Sequence, residues 1–315
     1  MSRPLRIEFP GAFYHITSRG NEQKDIFKSQ RDRIKFFSYL ESATQRYGAV
    51  IHVYCLMDNH YHLLLETPLG NLSQIMRHIN GAYTTYFNVK RKRTGHLLQG
   101  RYKAILVDVD EYAKELSRYI HLNPVRGEII DRPEEYSWSS YRYYVGLEEV
   151  PDWLVVDFIL SYFDTKASNA QKKYRMFVDE MVGREYDSPL KETVASTILG
   201  EADFVDGIKR KYLNSKEVDR DLPALRELSP KLSPERIIGE VKSVIKNDSV
   251  LLNKVGLYFC HRYSGRRLKE IAKYFGVGES AVSQTSRRLE FRLSKDYKLR
   301  RKIERIGEKL DLSNV

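Results

Sequence analysis

Residues 49–67 read AVIHVYCLMDNHYHLLLET, and the way this stretch folds decides how the rest of the chain is assembled. Two runs rich in β-branched and aromatic residues, Ala49–Leu56 and His60–Thr67, flank the turn former Met57-Asp58-Asn59, which predicts a β-hairpin. Side chains alternate across a strand, so His60 and His62 project from one face of the second arm while Tyr61 points the other way with Leu63 and Leu65. Working outward, Phe13–Arg19 reads as a strand closed by Gly20-Asn21, and Ile34, Phe36, Phe37, Leu40 and Ala43 recur at helical spacing between Asp32 and Gly48. Beyond the hairpin, Leu72, Ile75, Ile79, Ala82, Tyr83 and Tyr86 mark a helix over 72–87, ahead of a basic loop Lys90-Arg91-Lys92-Arg93. Tyr102–Val109 is a further strand, and Asp110 is the expected N-cap of a helix to Leu122, stopped by Pro124.

The order β, α, β, β, α, β, α predicts an α+β domain of the ferredoxin-like kind, an antiparallel sheet with helices packed on it, over residues 1–125. Residues 126–232, with Trp138, Trp153 and Tyr141, Tyr143 and Tyr144, read as a connecting helical region. From Ser233 to 315 several helical patterns form an all-α domain. A length of 315 residues and 42% hydrophobic content suit two cores. No run of roughly 18 apolar residues and no signal-peptide core is present, so the expectation is a cytoplasmic protein without a membrane partner. Cys55 and Cys260 are expected as reduced core thiols.

The net charge of +11 favours a polyanionic partner. Residues 261–310 hold 15 Lys/Arg against 6 Asp/Glu, so most of the surplus sits near the C-terminus. Two imidazoles on one strand face can share a divalent ion, and on the last helix Tyr119 and Asn123, four apart, lie on one side. With the Asn123 amide oxygen as a third ligand, such an ion would polarise a phosphodiester and Tyr119 would be the attacker. Each element taken alone has a plainer explanation: His-x-His arises by chance, a helical Tyr is usually core, and Asn before Pro ends helices.

Three blocks then matter together: Gly11-Ala12-Phe13-Tyr14-His15-Ile16-Thr17-Ser18-Arg19-Gly20-Asn21, Met57-Asp58-Asn59-His60-Tyr61-His62, and Tyr119-Ile120-His121-Leu122-Asn123-Pro124-Val125-Arg126. In this order and spacing they resemble the single-tyrosine HUH transposases, in particular the REP-associated tyrosine transposases, over about residues 5–145. The resemblance implies the ferredoxin-like HUH fold, Mg2+ or Mn2+, and a 5′-phosphotyrosine intermediate on single-stranded, hairpin-forming DNA. It also implies that His60, His62 and Asn123 hold the metal and that Tyr119 is the nucleophile. The ligand types by themselves suit Mn2+ or Zn2+ as well as Mg2+. One departure is Tyr61, where the family has an aliphatic residue; its direction argues against a second nucleophile.

Around that site Arg19, Arg101, Lys103, Arg118 and Arg126, interleaved with Tyr14 and Tyr102, are expected to hold phosphates and stack bases. Toward the C-terminus, Leu268, Ile271 and Ala272 pack one helix, Gly276-Val277-Gly278 turns, and Ala281, Val282 and Leu289 pack the next. This helix-turn-helix pattern leaves Ser280, Ser283, Gln284, Arg287 and Arg288 outward for duplex contacts, and the region resembles the DnaA-type C-terminal DNA-binding domain. The expected activity is a transposase-like strand transferase or endonuclease, working as a monomer or homodimer. The competing readings are a catalytically inactive regulator that binds structured DNA, and a hydrolytic metallonuclease using activated water.

Overall fold

The computed structural model describes residues 7–184, 187–213, 232–246, 248–293, 296–310 and 312; residues 214–231 of the expected connecting region lie outside them. One compact unit spans Arg6–Val205, and a second lies within Asp206–Val315. In the first, β1 (Ala12–Arg19) is the sheet centre, with β3 (His60–Thr67) and β4 (Lys103–Val107) antiparallel on either side. β2 (Val50–Leu56) pairs antiparallel with β3, which completes the ferredoxin-like order. A fifth strand, β5 (Ile198–Leu199), adds parallel to β4 and makes the sheet mixed; two residues are too short for any periodicity to announce them. The register sets Arg19 opposite His60, and Thr17 opposite both His62 and Lys103.

Helices α1 (Gln30–Tyr47) and α2 (Leu72–Lys90) cover one face. Tyr61 packs its ring 4.9 Å from Phe36 there and donates from Oη to Asn80 at 2.6 Å. Gly48 ends α1 at φ 63°, a left-handed cap that glycine accepts without strain, and its N–H reaches the Thr44 carbonyl. The expected apolar stripe of α1 is corrected at its start: Ile34 is exposed, and Asp32 and Arg33 are buried in its place.

Asp32 explains that inversion. Its carboxylate accepts from Lys90 at 2.8 Å and from Arg91 at 2.5 Å, tying the start of α1 to the end of α2. The predicted loop Lys90-Arg91-Lys92-Arg93 is therefore half structural: Lys90 is the last residue of α2, and two of its four cations are neutralised. Burial pushes the Asp32 carboxyl up, but the Arg91 and Lys90 hydrogen bonds outweigh it and hold the group at about 2. A carboxylate depressed in the folded state stabilises above its ordinary range and loses that contribution as pH falls through the folded value. Asp32→Asn is accordingly expected to cost roughly 2–3 kcal/mol at pH 7, with the difference from wild type shrinking between about pH 4 and pH 2. Denaturant unfolding followed by tryptophan fluorescence measures it, because both tryptophans, Trp138 and Trp153, lie in this unit. An equal stability of variant and wild type at pH 7 would refute the clamp.

The other sheet face carries α3 (Val109–His121), the short turns α4 (Asn123–Arg126), α5 (Tyr141–Tyr144) and α6 (Asp157–Leu160), and α7 (Ala167–Asp179). The N-cap of α3 is Asp108, not Asp110; Asp110 and Glu111 sit in the first turn, where the helix dipole favours them. Residues 126–205, expected only to connect, close both sheet edges. Trp138 and Tyr54 carbonyls accept from Leu56 and Ser140 at the β2 rim, Val155 donates to Ile51, and β5 covers β4. Unpaired strand edges invite association with other chains, so this covering has a protective role.

In the second unit α8 (Pro234–Val244), α9 (Ser249–Tyr263), α10 (Leu268–Phe275), α11 (Glu279–Leu293) and α12 (Tyr297–Lys309) share one core. Ser233, Asp248 and Asp296 cap three of these helices through side-chain acceptors. Ile271, Ala272, Val282 and Leu289 are buried as expected, and Gly276 at φ 65° turns the chain out of α10. Cys55 and Cys260 are both free, buried thiols. Among the described residues no helix is long and apolar enough to cross a membrane.

Candidate active site

The hairpin turn is built to hold His60. Gly20 must be glycine, because a Cβ there would lie 1.9 Å from the Lys24 carbonyl oxygen as the chain doubles back. That tight loop, with Glu22 and Gln23 in left-handed conformation, presents the Gln23 carbonyl to the Asn59 amide nitrogen at 3.1 Å. The Asn59 oxygen then faces His60 and accepts from its Nδ1 at 2.6 Å. Because that oxygen can only accept, the proton of His60 is placed on Nδ1 and the Nε2 lone pair is left for a ligand.

His62 is buried two positions on, its ring 5.1 Å from that of His60. Its Nδ1 lies 2.9 Å from Nε2 of His15, a buried imidazole of β1 stacked on it at 5.2 Å. His15 is not among the ligands expected from the sequence. A signal for it exists, since period two puts His15, Thr17 and Arg19 on the face that also carries the two histidines. All three imidazoles are kept neutral. Burial, then Arg19, lowers His60 to about 4; burial, then Lys103, lowers His15 to about 3; burial, then His15, His60 and Arg126, pulls His62 well below its ordinary value. Neutral imidazole is the form that binds metal ions.

α3 brings Tyr119 over this group: its half-buried ring lies 6.0 Å from His62 and 6.3 Å from His15, edge-on to both. Just past the helix end, Asn123 donates its amide nitrogen to the Tyr119 carbonyl at 2.8 Å, which leaves Oδ1 as the end not spent on the helix. The Arg126 guanidinium sits 4.9 Å from the Tyr119 ring centre. His60, His62 and Tyr119 thus come from two distant segments to one side of the sheet, with Asn123 one helical turn beyond Tyr119. Among the described residues no cluster of three or more His, Cys, Asp or Glu is arranged for a metal, so any ion here needs the Asn123 carboxamide or other oxygen donors.

Residues 9–123, the segment holding all four of these side chains, match the family described as IS200-like transposases. A solved structure described as a REP-associated tyrosine transposase bound to a REP hairpin aligns with 47% of this chain and 89% of its own, at 17% identity and a TM-score of 0.42. No curated protein matches the chain.

Around the histidines and Tyr119, the cations expected at the site part company. Arg19 and Lys103 are exposed on the strands flanking the histidines, Arg126 is exposed beside Tyr119, and Arg101 is exposed just ahead of β4. Arg118 is a correction: it is buried, donates to the Phe177 carbonyl at 3.0 Å, pairs with Glu115 and stacks 3.9 Å from the Phe177 ring. Helical geometry turns it about 100° from Tyr119, toward α7. Tyr14 and Tyr102, expected to stack bases, are buried in the core instead. Tyr61 is buried too, and burial raises its phenol well above the ordinary value, so it stays protonated. In the second unit Ser280, Gln284, Arg287 and Arg288 are exposed on α11 and Ser283 is half-buried.

Proposed function

We propose that the transposase domain cleaves and rejoins single-stranded, hairpin-forming DNA, with the Tyr119 hydroxyl attacking a phosphodiester to form a 5′-phosphotyrosine and free a 3′-hydroxyl. The observation that supports this reading is the convergence of a half-buried phenol and two neutral imidazoles, with a carboxamide one helical turn beyond the phenol, in a segment matched to transposases. His60 through Nε2, His62 and Asn123 through Oδ1 are the groups that would hold a divalent ion, Mg2+ or Mn2+. Bound there, the ion supplies Lewis-acid polarisation of the phosphate. The protein's own side chains do the remainder. Asn59 and His15 fix the orientation of the two imidazoles, Tyr119 is carried on a rigid helix, and Arg126 and Arg19 offer charge to phosphate oxygens next to it. Oη gives up its proton as it bonds to phosphorus, the bond from phosphorus to the 3′ oxygen breaks, and that oxygen takes up a proton, so the phosphotyrosyl ester conserves the phosphodiester's energy for rejoining.

The test is direct: an end-labelled single-stranded hairpin incubated with the full chain and Mn2+ should transfer its label to the protein. Labelled strand that is bound but never cut would favour a binding regulator, and cutting without transfer would favour an activated-water nuclease.

The second unit is proposed to bind duplex DNA through α11, whose exposed face offers hydroxyl, amide and guanidinium donors. Joint replacement of Arg287 and Arg288 by Ala should weaken duplex binding about 10–100-fold, and lower the salt slope by about one to two. Anisotropy titrations at several salt concentrations measure both, and an unchanged slope would remove these residues from the interface.

A further inference from the structure

The least explained part of the transposase unit is a chain of buried hydrogen bonds behind the helix that carries Tyr119. Ser117 donates to the Lys114 carbonyl at 2.7 Å, so it can only accept from the Tyr174 hydroxyl at 3.1 Å. Tyr174 in turn accepts from His121 Nδ1 at 2.6 Å, which leaves His121 Nε2 to accept from Ser140 at 2.8 Å, and Ser140 accepts from the Tyr54 amide at 3.0 Å. With the Ser140 proton on its shorter contact, 2.8 Å to His121 Nε2 against 3.2 Å to the Tyr54 carbonyl, the donors run one way from β2 through Ser140, His121 of α3 and Tyr174 of α7 back to Ser117 of α3. His121, Tyr174, Ser140 and Ser117 are fully buried, and burial keeps His121 neutral, as the path requires. Such a network is strong when complete and costly when one member is lost.

Its placement matters for chemistry. Two residues along a helix are about 200° apart, so His121 and Ser117 face away from the sheet side that Tyr119 addresses. The rear side is also held at Asp110, which accepts from Tyr162 at 3.4 Å, and the flank at Arg118, which donates to the Phe177 carbonyl at 3.0 Å.

We infer that residues 138–177 are a clamp on the back of the Tyr119 helix and that His121 is its positioning residue, setting the phenol against the two imidazoles through the Ser140–His121–Tyr174 path. This rests on the reading of Tyr119 as nucleophile. The clamp acts through helix position, so it should change the rate of attack and leave DNA affinity alone.

The experiment uses the full chain carrying His121→Leu, His121→Gln or Tyr174→Phe. It measures adduct formation at saturating hairpin, hairpin affinity, and hydrogen exchange of the α3 amides. His121→Leu should slow the adduct step about 10–100-fold, as expected for a small displacement of a reacting group, with affinity within threefold of wild type and faster exchange in α3. His121→Gln keeps a donor and an acceptor and should recover most of the rate; a Gln variant no faster than Leu overturns the positioning role. Should His121→Leu not fold, Tyr174→Phe removes one hydroxyl at constant shape, and wild-type rate together with wild-type exchange in that variant overturns the clamp. A wild-type chain that makes no adduct at all sinks the Tyr119 reading instead, and exchange in Tyr174→Phe then decides the clamp by itself.

Discussion

Tyr119→Phe is expected to abolish the covalent protein–DNA species, a loss of about 10^4-fold or more, while hairpin affinity stays within about threefold. The substitution removes one oxygen. The Tyr119 ring keeps its edge-on contacts with His62 and His15 and its place under Arg126, none of which needs the hydroxyl. What disappears is the atom that would bond to phosphorus, and Tyr61, between the two histidines in sequence, cannot stand in for it, because it points to the opposite sheet face and donates to Asn80. Denaturing gels of labelled hairpin after incubation with Mn2+ measure the adduct. A covalent band that survives the substitution assigns the nucleophile elsewhere, and cutting that continues without any band assigns it to water.

His62→Ala is expected to reduce cleavage about 10^3-fold or more and to remove its dependence on added metal, the scale seen when a principal electrostatic stabiliser of a transition state is lost. His60→Ala should act in the same direction. His15→Ala is the more informative variant, because it leaves the proposed ligands in place and removes only the imidazole bonded to His62. Loss of such a supporting partner typically weakens metal binding 10–100-fold, and Mn2+ titration followed by electron paramagnetic resonance reads this without any turnover. Unchanged Mn2+ affinity in His62→Ala would place the ion elsewhere.

The parts of the fold carried by long periodic segments are legible in the amino-acid sequence alone. The arm His60–Thr67 pairs with β1 without a register break, whereas β2 shifts between Ile51 and Val53, so the direction of His60, Tyr61 and His62 follows from period two, and Tyr61 does lie on the helix side as that requires. The convergence of Tyr119 with the histidines is legible only from three motif blocks taken together, since the two segments are far apart in sequence. What stays hidden has identifiable causes. α5 and α6 are four residues each and β5 is two, below the length at which any period shows. Asp32 reads as a helix start, and nothing local reveals that its partners are Lys90 and Arg91, almost sixty residues on. Arg118 looks like a surface cation because its counterparts, Phe177 and Glu115, become neighbours only once α7 docks. His15 is hidden in an aromatic strand that reads as ordinary core.

The rims of the sheet carry a consequence for biosynthesis. The matched transposase segment ends at residue 123, yet the chain that seals the β2 side includes Trp138 to Val155 and the strip beside β4 is Ile198–Leu199. At ribosomal speeds of about 5–20 residues per second, the seventy-odd residues after the segment take roughly 4–15 s to appear. During that interval the nascent sheet stands open on two sides, so a fragment cut at the motif boundary should be stickier than the longer chain, and expression trials of this protein would do better to stop after Val205 than after Asn123.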